Sequence, residues 1–212
     1  MRLIVAAMAG TIIVFTWGFV SWTVLEFWSE EIDFLPTENV STYESFMGST
    51  GSIPESGAYV FPARPELSSR SEFEDDATYE SFRTMATSAW QAETRKGPAG
   101  ILLVHPGGFD PMAPSMFVRG VMLEFAGAIL LAVLLAIATK AGAGYVGRLG
   151  IGVAALAFAV VSGVLVPGNF MVLPSAWTRA MAGDMILGWG LALVVMAAIV
   201  GGPRRSGRYA RS

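Results

Sequence analysis

The chain has 212 residues, of which 53% are hydrophobic and only 15% charged, with a formal net charge of −3. That apolar share exceeds the ordinary soluble domain and sits in a few long runs, the composition of a multi-pass membrane protein. The absence of cysteine excludes disulfides, thiolate metal centres and thiol nucleophiles, and a single histidine excludes His-rich metal sites.

The first apolar run covers residues 3–25 without a charge, preceded by Arg2 and followed by Glu26, Phe27 and Trp28. Its length suits a bilayer-crossing helix, so residues 1–28 are read as a first transmembrane helix. A cleaved signal peptide would have a shorter apolar core ending in small residues, whereas this run ends in bulky aromatics. Trp22 and Trp28 fit an aromatic belt at a membrane interface, where they could also meet a ligand or neighbour. Ala6 and Gly10 form a small-xxx-small pair that admits a second helix closely.

Residues 29–116 carry fourteen acids against five bases, a net charge near −9. Such a surface repels nucleic acid, so no nucleic-acid partner is expected. A short helix is expected from Thr37 or Asn39 to Phe46, then a Gly/Ser-rich loop and a strand over 58–61 stopped by Pro62. Ser71 three residues before Glu74 reads as a capping box opening a longer helix, with Asp75 and Asp76 at the positive end of its dipole. Phe82, Met85, Ala86, Ala89 and Trp90 give that helix one apolar face, and Gly97 and Pro98 end it. A strand over 101–105 follows, and a strand, helix, strand order predicts parallel pairing by a crossover. Two strands make a marginal core, so this small α+β domain is expected to lean on its neighbours.

Three more apolar runs follow, over 117–138, 149–166 and 180–200, with a basic tail over 201–212. The fold class expected is therefore a mainly α membrane protein of four transmembrane helices, with an α+β extracytoplasmic domain between helices 1 and 2. Lys140, Arg148, Arg204, Arg205, Arg208 and Arg211 fall on the same side as Arg2, which the positive-inside rule makes cytoplasmic. Residues 29–116 then face the periplasm of a bacterial inner membrane. Small residues recur four apart, at Ala128, Ala132 and Ala136, at Ala155, Ala159 and Gly163, and at Gly188 and Ala192, predicting close helix contacts.

Five ionisable residues gather at the outer end: Glu26, Arg119, Glu124, Arg179 and Asp184. The second and fourth spans each place an acid five residues after an arginine, about 140° around the helix, so neither acid faces its own arginine. Cross-helix pairs, Arg119 with Asp184 and Arg179 with Glu124, would satisfy them, because a charge in the bilayer centre costs on the order of 2.5–3.5 kcal/mol. The cluster either locks the bundle or leads an ion or proton path. His105, in VHPGG, is either a strand-edge residue or part of a ligand site. The Glu72, Glu74, Asp75, Asp76 cluster lacks the spacing of a calcium loop, and no metal or catalytic set is recognised.

Trp17, Gly18, Ser21 and Trp22, then Gly57, Tyr59 and Pro62, then Gly97, Pro98, Gly100, His105, Pro106, Gly108, Pro111, Met112 and Pro114 make up three short motifs. In these the chain resembles a group of bacterial four-span membrane proteins with a WG…SW first helix and a GPxG…HPxG…PMxP segment. The group often ends its first span in Leu-Pro-Trp-His, where this chain has Leu25, Glu26, Phe27 and Trp28. The resemblance implies fold and topology and supplies no activity. The residues themselves point to a non-catalytic accessory or scaffolding subunit of a respiratory or photosynthetic membrane complex. Its partners would be other membrane subunits and the bilayer. No cofactor is predicted, although the helix surfaces leave room for a bound lipid or pigment. A small transporter or proton-coupled channel on the charged cluster, and an outer ligand-binding domain around His105, are the alternatives.

Overall fold

The computed structural model describes residues 1–25, 48, 53, 55–63, 65 and 68–201. The expected helix before Phe46, Glu26, Trp28 and the basic tail lie outside them. Helix α1 (Arg2–Phe19) runs into a π turn (Val20–Val24). Strand β1 (Gly57–Phe61), a 3-10 turn (Arg70–Glu72), α2 (Asp76–Lys96) and β2 (Gly100–Val104) follow. Then come α3 (Pro114–Lys140), α4 (Tyr145–Val160), a second π turn (Val161–Leu165), α5 (Val166–Phe170) and α6 (Ser175–Gly201). The chain divides into two compact units, Leu35–Phe109 and the remainder.

Four continuous helices, Arg2–Val24, Pro114–Lys140, Tyr145–Phe170 and Ser175–Gly201, are long and apolar enough to cross a membrane, as a multi-pass membrane protein requires. At 23 to 27 residues they are about 35–40 Å long, more than the roughly 30 Å of a hydrocarbon core. The third span begins and ends farther out than expected, because Tyr145–Arg148 are helical and Pro167 does not stop the chain. Proline there falls in the first turn of α5, just past the π turn, where its missing N–H is needed least.

Small side chains set how closely these helices meet. Ala6, Ala7, Ala128, Ala132, Ala192 and Ala197 are wholly buried, with Leu135, Leu193 and Met196 filling the space between them. A Cβ on Gly10 would lie 2.5 Å from the Met196 sulfur, and one on Gly152 would lie 2.1 Å from a Leu193 methyl. The expected stripes of α1, α3 and α6 are therefore real contact faces. The stripe of the third span is not: Gly163 has nothing near it, and Ala155 and Ala159 line an apolar groove of about 350 Å³ shared with α3 and α6.

The second unit corrects two expectations. Strands β1 and β2 pair antiparallel, with Gly57 opposite Val104 and Phe61 opposite Gly100, so no parallel crossover exists. The reason lies in α2, whose Trp90 indole donates to the Pro62 carbonyl at 3.2 Å. That bond holds the last turns of α2 at the end where β1 stops, and the chain turns at Gly97 and enters β2 beside Phe61. His105 falls just beyond β2.

The helix start also differs. Ser69, not Ser71, forms the capping box, with Glu72, and it closes the 3-10 turn. Asp75 then caps α2, accepting the Thr78 N–H at 2.6 Å and the Thr78 hydroxyl at 3.1 Å. The sequence holds two overlapping Ser-x-x-Glu patterns, and the choice between them is tertiary. Phe73 reaches Tyr79 and Phe82 with ring centroids 5.4 and 5.2 Å apart. Phe82, Ala86 and Trp90 are half-buried, whereas Met85 and Ala89 of the expected apolar face are exposed. Among the described residues of this unit no side chain is fully buried, so its core is thin.

Gly152→Val should drive a methyl into Leu193 and lower stability by about 1–3 kcal/mol, read from thermal unfolding in detergent. Gly150→Val, with open space around its Cβ, should change stability far less. The Thr78 backbone amide, and after it the Thr78 hydroxyl, hold the Asp75 carboxyl below its ordinary 3.8. A depressed folded-state pKa means the cap contributes fully at neutral pH and is lost only as pH falls through that lowered value. An NMR titration of Asp75 should give a midpoint below 3.8, and Thr78→Val should move it upward.

Candidate functional site

Asp184 lies nine residues into α6, about 13–14 Å from the start of that helix, and Glu124 lies ten residues into α3, about 15 Å from its start. A carboxylate in so apolar a segment needs donors, and α1 supplies them. Trp17 Nε1 donates to Asp184 Oδ1 at 2.8 Å, Ser21 Oγ to the same oxygen at 2.7 Å, and Trp22 Nε1 to Oδ2 at 3.2 Å. Trp17 and Ser21 are one α-turn apart and share a face naturally. Trp22 would stand about 140° from Trp17 on a regular helix. The π turn over Val20–Val24, closed by the Leu25 N–H to the Val20 carbonyl at 2.9 Å, swings it back toward the acid. Ser21 is wholly buried at this contact.

Space for the indole comes from α6 itself. A Cβ on Gly188, one turn below Asp184, would sit 2.8 Å from the Trp17 ring, so only glycine leaves room for that ring against α6. In the same way Gly127 of α3 accepts the Trp189 ring, which a Cβ would meet at 2.9 Å. Trp17, Trp189, Met181 and Met185 wall a cavity of about 220 Å³ whose polar lining is Glu124 and Asp184. All four long helices contribute, the third through Val164 in its π turn. Glu124 is half-buried, and among the described residues its carboxyl accepts no hydrogen bond and joins no ion pair.

The expected cross-helix ion pairs are not formed. Asp184 takes indole and hydroxyl donors instead of Arg119, which is exposed. Arg179 is exposed too, with its Nη1 3.3 Å from the Ser175 hydroxyl, and no ion pair joins it to Glu124. The ion pairs among the described residues, Arg70–Asp76 and Arg83–Glu80, are both in the acidic unit. Neutral donors win because Trp17 and Ser21 already lie on the packed face of α1. An arginine one turn from a helix end reaches water more cheaply.

Arg148 shows the same principle with the opposite sign. It is 8% exposed, donates from Nε to the Ala197 carbonyl and from Nη1 to the Ala143 carbonyl, both at 2.9 Å, and lies over Gly201 at the C-terminal end of α6. Sequence reasoning placed it among the basic loop residues; its burial became visible only once α4 was seen to begin at Tyr145. His105 is exposed, its ring 5.7 Å from that of Phe109, and among the described residues no group of three His, Asp or Glu side chains could hold a metal ion.

Of the sequence-derived cluster, the structure brings Glu124 and Asp184 to one cavity, leaves Arg119 and Arg179 at the surface, and does not describe Glu26. What sequence reasoning missed were the partners: Trp17, Ser21, Gly188 and Trp189. Comparison with protein-family models, curated proteins and solved structures gives no match. Trp17→Phe should remove one charge-assisted donor and lower stability by about 1.5–3 kcal/mol in detergent unfolding, while Arg119→Gln should leave it nearly unchanged.

Proposed function

We propose that this chain is a non-catalytic accessory or scaffolding subunit of a larger assembly in a bacterial inner membrane, of the respiratory or photosynthetic kind. Its termini would lie in the cytoplasm and its acidic segment in the periplasm. The observation that carries this reading is the use made of Asp184, which spends both carboxylate oxygens on fastening α1 to α6. Below it the spans offer no titratable group until Arg148, which is held by carbonyls, so no relay of ionisable side chains continues across the bundle. A rigid bundle with broad apolar flanks and a thinly packed acidic unit suits a part that holds neighbours. Arg2, Lys140 and the tail arginines support the sidedness through the positive-inside rule.

The second reading, a small transporter or proton-coupled channel, is favoured by Glu124, half-buried and facing a cavity without a bonded partner among the described residues. Affinity isolation from native membranes with cross-linking should yield a stoichiometric membrane partner; a chain that runs alone overturns the accessory role. In liposomes, Glu124→Gln should change no ion or proton flux. Abolished flux in a folded Glu124→Gln protein would instead establish transport.

A further inference from the structure

The acid cavity does not stand alone. Met185 and Trp189, one turn apart on α6, wall both it and the apolar groove of about 350 Å³. Along three helices the lining steps from one to the other in the same direction. On α3 it passes from Glu124 to Gly127, Leu130 and Leu134, and on α6 from Asp184 to Trp189 and Leu193. The third span runs the other way, Gly152 lying against Leu193, and there the lining passes from Val164 back to Ala159 and Gly152. Cavity and groove are therefore stacked end to end, and Leu134 lies about 15 Å deeper than Glu124. Leu130 of the groove is 72% exposed, so its flank opens sideways to whatever surrounds the bundle.

We propose that cavity and groove together bind a single-chain lipophilic ammonium ion, its head between Glu124 and Asp184 and its alkyl tail along the groove. Charge selects the head. Two carboxyl groups line the cavity and, among the described residues, no base does. Asp184 has its three donors, whereas the Glu124 carboxyl has none among the described residues, so a positive head completes it. A metal ion does not fit: among the described residues no three His, Asp or Glu side chains gather, and most of the wall is indole and thioether in place of oxygen. Those groups suit a weakly hydrated organic cation, which aromatic rings attract. At about 220 Å³ the cavity is smaller than the roughly 300–1,000 Å³ of drug-sized sites, which limits the head to a few heavy atoms. Depth then requires the tail. Helix α3 is about 40 Å long, so centring it on a 30 Å core leaves about 5 Å beyond each boundary and puts Glu124 about 10 Å inside. A carboxylate that deep is reached through the hydrocarbon, by a molecule that is itself soluble there. The proposal depends on the chain spanning a bilayer and not on the accessory role.

The test uses the full-length protein in phosphatidylcholine nanodiscs with radiolabelled dodecyltrimethylammonium, the counts on protein-free nanodiscs being subtracted. Binding should saturate at one per chain. Dodecanol, the same tail without a charge, should compete at least roughly tenfold more weakly, a modest effect for opposite charges in contact away from water. Tetramethylammonium, the head without the tail, should also compete far more weakly. Glu124→Gln should weaken binding roughly tenfold, with Glu124→Asp keeping part of it. Ala155→Phe, which fills the groove without touching either carboxyl, should weaken it as well, whereas Val153→Phe, outside the groove, should not. Absence of a saturable component above the empty nanodiscs overturns the proposal. So does equal competition by dodecanol, which would make the groove a general apolar site, or an affinity unchanged in folded Glu124→Gln. Should Glu124→Gln fail to fold, both the advantage over dodecanol and the loss in Ala155→Phe must be seen for the assignment to stand.

Discussion

The interaction on which the bundle depends is the set of three hydrogen bonds from α1 to Asp184. A carboxyl group among apolar helices loses its water, and only donors fixed in place can offset that loss. Two indoles and a hydroxyl from consecutive turns of one helix do so without a counter-charge. Each neighbouring irregularity then has a purpose. The π turn aims Trp22, Gly188 gives Trp17 room, and the second π turn brings Val164 to the same cavity. π turns inside helices often accompany functional sites, and here both stand beside the cavity that Glu124 and Asp184 line.

Arg148 is the counterpart toward the other end of α6. Its guanidinium is satisfied by the main-chain carbonyls of Ala197 in α6 and Ala143 in the turn before α4. Acid and base are thus each paired with neutral dipoles of opposite sense and not with each other. Burying an ion pair would require desolvating two charges, whereas a carbonyl or an indole N–H in a helix contact is already out of water. Between these two points the packing is left to alanine and glycine, which bring backbones close, and to a few large side chains such as Leu193 and Met196.

The acidic unit is built differently. Its two-stranded sheet and single long helix bury no side chain completely among the described residues, and its order rests on local devices: the Ser69 box, the Asp75 cap, the Phe73 ring contacts and one indole bond to Pro62. Such a unit stays ordered more by turns and caps than by a core.

Composition and periodicity determined the four apolar helices, because a run of some twenty uncharged residues has few other stable outcomes. They also marked the small-residue faces of α1, α3 and α6 and the glycine that ends α2, since each follows from local sterics. Tertiary structure alone decided which donors reach Asp184, that Glu124 shares its cavity, that Arg148 is buried, and that β1 and β2 run antiparallel. Those outcomes join residues up to 167 positions apart, and the partner of a side chain at that distance is set by helix rotation and register. A run of hydrophobic letters does not encode rotation; two glycines, a π turn and the shape of a tryptophan do.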